Sequence, residues 1–203
     1  MISLLVAMAT FALVTSISPG PVNILATVTS ANYGYIRTIP HITGATFGFV
    51  SILFLLGFGL SQFMTEIPYL AKGMTYIGGG FLLYLAYKVT TQESTIKSKG
   101  SVESNAAPSL LQGMMCQWLN PKAWIVSLAG ISVFYTGQNT GLEVLLLFCG
   151  IFFVVCYLSI SVWALLGITI SSMIDTPKQF RLFNLSMGLL LGITVLYTFF
   201  ISS

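Results

Sequence analysis

Apolar residues run along this chain in long stretches set apart by short polar segments, and a membrane-crossing helix is the element that pattern predicts. A spanning helix needs about 20 apolar residues, because the hydrocarbon core is roughly 30 Å thick and each helical residue rises about 1.5 Å. Six stretches qualify: Ile2 to about Ala31, Ile42 to about Thr65, Ile67 to Tyr87, Leu110 to Tyr135, Val144 to about Ile174, and Leu182 to Ile201. The first is interrupted at Ser18-Pro19-Gly20-Pro21 and the fourth at Asn120-Pro121; no other predicted span has an interior proline. The polar segment from Glu93 to Ser109 reads as a flexible linker.

Three spans, a linker and three more spans divide the chain into a first repeat (1–90), a cytoplasmic linker (91–109) and a second repeat (110–203). An odd number of crossings per half makes the second half enter from the opposite side, which is the arithmetic of an inverted repeat. The expected fold is therefore all-α and polytopic, with two inverted three-helix repeats whose opening helices are broken at proline. Arg37, Lys88, Lys97, Lys99, Lys178 and Arg181 fall in the loops after spans one, three and five, against Lys72 alone, near the start of the third span, on the opposite side. The positive-inside rule then puts those loops in the cytoplasm and both termini outside.

Composition narrows the class further. Charged residues are 6% of the 203, hydrophobic residues 56%, and mean hydropathy is +0.91. So few charges cannot cover a soluble core, which excludes a water-soluble globular protein, a nucleic-acid binder and a disordered chain. Met1 to Ile17 contains no Lys or Arg, so the basic region of a cleavable signal is missing and the first helix is expected to stay. Cys116, Cys149 and Cys156 lie in apolar stretches without metal-ligand spacing and read as small apolar fillers. Metalloprotease, hydrolase, intramembrane-protease and Walker motifs are absent, so no catalytic residue, metal or cofactor is expected and the chain does not read as an enzyme.

The candidate chemistry sits at the two breaks. Proline has no amide hydrogen, so Pro19, Pro21 and Pro121 leave the carbonyls of Thr15, Ile17 and Gln117 without helical donors. In lipid such groups survive only where protein or a wet cavity satisfies them. Ser18 and Asn120 are N-cap types, and Pro19 and Pro121 suit the first position of a restarted helix. A half-helix N-terminus would attract a carboxylate and the freed carbonyls an ammonium, so the breaks read as a site for a zwitterion such as an amino acid. Kinked packing helices are the alternative. Lys122 inside a span needs a cavity or a partner, either a substrate carboxylate or the unwound carbonyls; snorkelling to the interface is the other reading. Asn23 and Gln117 add neutral polar groups, and Trp118 reads as packing or an interfacial anchor.

Thr15-Ser16-Ile17-Ser18-Pro19-Gly20-Pro21-Val22-Asn23 resembles the opening-helix motif of the LysE/RhtB amino-acid exporters. Gln117-Trp118-Leu119-Asn120-Pro121-Lys122-Ala123 is similar to the motif that opens their second half, and Gly78-Gly79-Gly80 with Tyr84-Leu85-Ala86-Tyr87-Lys88 to the end of their third span. Many relatives carry an aspartate after a Gly-x-x-x-Gly in the second span; here Gly44-Ala45-Thr46-Phe47-Gly48 is followed by Phe49. That departure resembles the cysteine and O-acetylserine branch and argues against lysine or arginine as cargo. The resemblance implies a bacterial inner-membrane exporter of small, neutral amino acids, working by alternating access and driven by the proton motive force. Its partners would be an amino-acid substrate and the bilayer, with no nucleic acid.

The expected substrate site comprises Pro19, Gly20, Pro21, Asn23, Gln117, Asn120, Pro121 and Lys122. A passive amino-acid channel and a membrane scaffold subunit are the rival readings, and threonine, homoserine or lysine the rival substrates. Gly44 with Gly48 and Gly188 with Gly192 read as close packing within the bundle, a homodimer face being the sharper alternative. His41 reads first as a solvated loop histidine and second as a proton relay. Glu66 and Glu143 read as solvated groups at the outer ends of spans, and the aromatic residues as mostly lipid-facing and interfacial.

Overall fold

The computed structural model describes residues 2–60, 68–91, 108–135 and 141–202; the linker at 92–107, with Lys97 and Lys99, and Glu66 lie outside the described residues. Eight α-helices occupy these segments: α1 (Ile2–Ile17), α2 (Pro21–Tyr33), α3 (Tyr35–Leu55), α4 (Pro68–Thr91), α5 (Leu110–Trp118), α6 (Pro121–Phe134), α7 (Leu142–Ser172) and α8 (Pro177–Ser202). Both expected interruptions are present. Helix α1 stops at Ile17 and α2 starts at Pro21 with a bend of 58°, while α5 stops at Trp118 and α6 starts at Pro121.

Among the described residues, three helices are long and apolar enough to cross a membrane: α3 with its extension to Gly59, α7, and α8 to Tyr197. The bent pair α1–α2 makes a fourth, and α6 is a shorter apolar helix. The chain is thus an all-helical, multi-pass membrane protein. Helix α7, at 31 residues, is about 46 Å long by helical rise, so it tilts or projects beyond a 30 Å hydrocarbon layer. Its outward residues Leu146, Val154, Leu158, Val162 and Leu165 are as apolar as its buried ones, as expected of a helix between lipid and protein.

Two sequence expectations are corrected. The second span begins at Tyr35 rather than near Ile42, so Pro40 lies inside α3. It sits early enough in the helix that only the carbonyl of Ile36 loses a donor. Because α3 starts earlier, His41 is not a loop residue: it is buried at 1% exposure in the wall shared with α5, and neither ring nitrogen has a hydrogen-bond partner. Most of the described aromatic residues keep some exposed surface, as expected, but a cluster of phenylalanines does not. Phe49, Phe134, Phe148 and Phe152 are buried, and with Phe11 they pack ring on ring, Phe49 stacked on Phe152 at 4.8 Å and Phe148 edge-on to Phe152 at 5.1 Å.

Small residues set the closest helix contacts. A methyl group on Gly44 would strike the Leu110 carbonyl, one on Gly48 would lie 2.8 Å from the Met114 carbonyl oxygen, and one on Gly113 would strike the His41 carbonyl. The Gly44/Gly48 stripe therefore brings α3 against α5 inside the bundle. Gly188 does the same for α8 against α4, whereas Gly192 faces nothing within 4 Å among the described residues. Helices α2 and α1 pack on α7, α3 packs on both α7 and α5, and α4 packs on α8. At its far end α3 loosens into a π-helical turn over Leu56–Leu60, where Gly59 takes φ +128°, open to glycine and few other residues.

Candidate functional site

The first break is held by a donor for every carbonyl from Thr15 to Gly20. Thr15 O accepts from Ser18 Oγ at 2.9 Å, Ser16 O from Asn23 Nδ2 at 2.8 Å, and Ile17 O from Trp163 Nε1 at 2.9 Å. Ser18 O accepts from Asn23 Nδ2 at 3.0 Å and from Lys122 Nζ at 3.2 Å. Pro19 O accepts from Lys122 Nζ at 3.3 Å, and Gly20 O takes the Ile24 amide at 3.0 Å as the first bond of α2. Unwound backbone in an apolar bundle persists only with its polar groups paired, and here its carbonyls are.

The N-cap of α2 is Gly20, in extended backbone, and Pro21 is its first residue. Ser18 and Pro19 do not fill those places as the sequence reading expected. The Ser18 hydroxyl instead bonds back to Thr15 O and takes Lys122 Nζ at 2.7 Å. Nor are the freed carbonyls vacant for a guest: the Ser18 hydroxyl takes Thr15 O and the Trp163 indole takes Ile17 O, while the Lys122 ammonium sits on the neighbouring Ser18 and Pro19 carbonyls. Gly20 gives no side-chain cap to α2, so the helix start keeps its partial positive charge toward the break.

The second break follows the sequence reading closely. Asn120 is the N-cap of α6, its Oδ1 accepting from the Lys122 amide at 3.1 Å, and Pro121 is the first helical residue. The Gln117 carbonyl, orphaned by Pro121, accepts from the Asn120 amide at 3.0 Å, and Gln117 Oε1 accepts from Asn120 Nδ2 at 3.2 Å. The Trp118 carbonyl accepts from Trp124 Nε1 at 2.8 Å, while Trp118 Nε1 donates to Ser51 Oγ at 3.0 Å and so ties the break to α3.

Between the breaks lies a half-open cavity of about 40 Å³. Gly20 and Asn23 face it from the first break and Gln117, Asn120 and Lys122 from the second. The three prolines do not line it. Pro19 is exposed and supplies its carbonyl to Lys122, and Pro21 and Pro121 are buried away from the lining. Sequence reasoning missed Thr15 and Ser16 on the wall, along with Phe49 of α3 and Cys156 and Ile160 of α7. The Cys156 thiol lies beside the side chains of Ser16 and Thr46. Gly20 lets Lys122 come close: a methyl group on it would lie 3.2 Å from Lys122 Nζ and 3.4 Å from Cδ, so the lysine would have to give by a few tenths of an ångström.

The family model for LysE type translocators matches residues 13–199, which span both breaks and the cavity. The chain belongs to the LysE type translocator family. Two relatives are the cysteine/O-acetylserine efflux proteins of Salmonella choleraesuis and Salmonella typhimurium, each 26% identical over 204 aligned positions covering 96% of this chain and 94% of the relative. No solved structure gives a significant match. Membership puts the chain among transporters, and the position where the family resemblance expects an aspartate is Phe49, on the cavity wall against Phe152.

Proposed function

We propose that this chain exports small neutral amino acids, cysteine or O-acetylserine foremost, across the bacterial inner membrane by alternating access around the cavity between the two breaks. The observation that carries the reading is the bridge from Lys122 of the second break to the Ser18 and Pro19 carbonyls of the first, at the wall of a cavity that receives polar side chains from both breaks. An ionised side chain is costly at that depth and is retained where it serves a pathway. An apolar Phe49 in place of the relatives' acid favours an uncharged substrate side chain, and the efflux proteins above are similar along nearly their whole length.

The packing supports six spans in two inverted halves. Exchanging α1, α2, α3 and α4 for α5, α6, α7 and α8 turns the α3–α5 contact into α7–α1 and the α2–α7 contact into α6–α3, and all four are present. The α3–α7 and α4–α8 contacts map onto themselves. With the loop cations inside, both termini face out. The proton motive force is the energy source the family resemblance implies.

Counterflow in proteoliposomes with labelled cysteine, O-acetylserine, threonine, homoserine and lysine tests this reading. Cysteine and O-acetylserine should exchange, and Asn120→Ala should abolish it. Movement of lysine alone would refute the neutral preference. Equilibration without accumulation under an imposed proton gradient would make the protein a facilitator.

A further inference from the structure

We propose that Lys122 makes the site demand both charges of an amino acid: the substrate's ammonium replaces Lys122 Nζ on the Ser18 and Pro19 carbonyls, and its carboxylate pairs with the displaced lysine. This rests on the exporter reading and names the chemistry by which that site selects. An ammonium has three hydrogens to donate, and Lys122 Nζ has three acceptors, Ser18 Oγ at 2.7 Å, Ser18 O at 3.2 Å and Pro19 O at 3.3 Å. Every carbonyl of the first break already has a donor and Ser18 O has two, so an incoming ammonium competes with the donors in place.

The donors differ in how readily they yield. Asn23 is short-tethered and buried at 5% exposure, with its amide shared by two carbonyls. Trp163 is held on the long helix α7. Lys122 alone crosses from the opposite break, on a flexible four-carbon stem that lines the cavity. Moving it off its acceptors leaves a cation in a poorly solvated place, which is severely unfavourable unless an anion arrives with the move.

An amino acid brings that anion one carbon from its ammonium. A simple amine would set two cations side by side. A simple carboxylate would draw Lys122 away and leave the Ser18 and Pro19 carbonyls without it. The uncapped start of α2 adds its partial positive charge on the side where the carboxylate would lie. The exchange also removes the Lys122 link between the two breaks as substrate arrives, so cargo and release of the halves coincide.

The test compares binding of three thiols to purified protein by titration calorimetry: cysteine, cysteamine (ammonium only) and 3-mercaptopropionate (carboxylate only). Wild type should bind cysteine more tightly than either by about tenfold or more. Lys122→Met should reverse the order, losing cysteine by about tenfold and gaining cysteamine, because the carbonyls then accept an amine with no second cation present. Lys122→Arg, which keeps the charge, should keep the wild-type order. Cysteamine binding to wild type within about threefold of cysteine, or an unchanged order in Lys122→Met, would overturn the exchange. Should Lys122→Met not fold, a loss of the cysteine preference in Lys122→Arg would overturn it equally. The exchange pattern in a protein that moves no amino acid in counterflow would refute export and leave the exchange standing; cysteine counterflow with the order unchanged in Lys122→Met would do the reverse.

Discussion

Asn23→Ala removes one side-chain amide and strips two carbonyls of it. Ser18 O keeps Lys122 Nζ at 3.2 Å, but Ser16 O loses its 2.8 Å partner, in a place where Asn23 itself is buried. A buried acceptor left unpaired costs about 1–3 kcal/mol, and the bond lost from the shared carbonyl adds about 1 kcal/mol, so the sum is about 2–4 kcal/mol. For a chain of this size that is a fall in Tm on the order of 5–15 °C. Asn23→Asp keeps the shape but turns a donor into an acceptor facing two carbonyl oxygens; it should destabilise at least as much, and cysteine counterflow should be lost in both. Thermal unfolding in detergent, read by tryptophan fluorescence, with counterflow on the same preparations, makes the comparison. An unchanged Tm with normal transport in Asn23→Ala would refute the claim that this amide holds the unwound segment.

Trp163→Phe keeps an aromatic ring, though a smaller one, and removes the donor to Ile17 O; a loss of about 1–3 kcal/mol should appear as a lower Tm while Trp163→Tyr fails to rescue it. Phe49→Asp puts a carboxylate on the cavity wall; the ratio of lysine to cysteine counterflow should rise, even though the Phe152 stacking partner, worth about 1 kcal/mol, is given up. Gly48→Leu drives a side chain into the α5 backbone at Met114, and size-exclusion chromatography should show the folded peak lost. A phosphatase fused after Ser203, active only outside the cytoplasm, should be active with the positive-inside orientation and silent if the bundle is reversed.

The breaks were legible because proline acts locally: wherever Pro121 follows Asn120, the Gln117 carbonyl loses its donor and Asn120 is ready to cap. Four residues in Ser18-Pro19-Gly20-Pro21 offered two such starting points, and sequence rules favoured the serine. The chain starts α2 at the second proline because the Ser18 hydroxyl is engaged by Thr15 O and by a lysine 104 positions away. Donors from that distance, Lys122 on Ser18 and Trp163 on Ile17, leave no trace in local pattern. The burial of His41 went unseen because Pro40 marked a helix boundary that α3 runs through. The phenylalanine cluster was unreadable for a related reason: in a chain apolar on every face, hydrophobicity does not separate lipid from core, and only the assembled helices bring Phe11, Phe49, Phe134, Phe148 and Phe152 together.

The central claim is that the cavity between the two breaks receives the cargo. A crystal structure of the protein with selenocysteine, the selenium analogue of cysteine, locates the guest by its anomalous scattering. The account predicts a selenium peak between Gly20, Asn120 and Cys156, with the amino acid's carboxylate on Lys122. A peak outside the bundle, or Lys122 turned to the membrane surface with the two breaks apart, would contradict it.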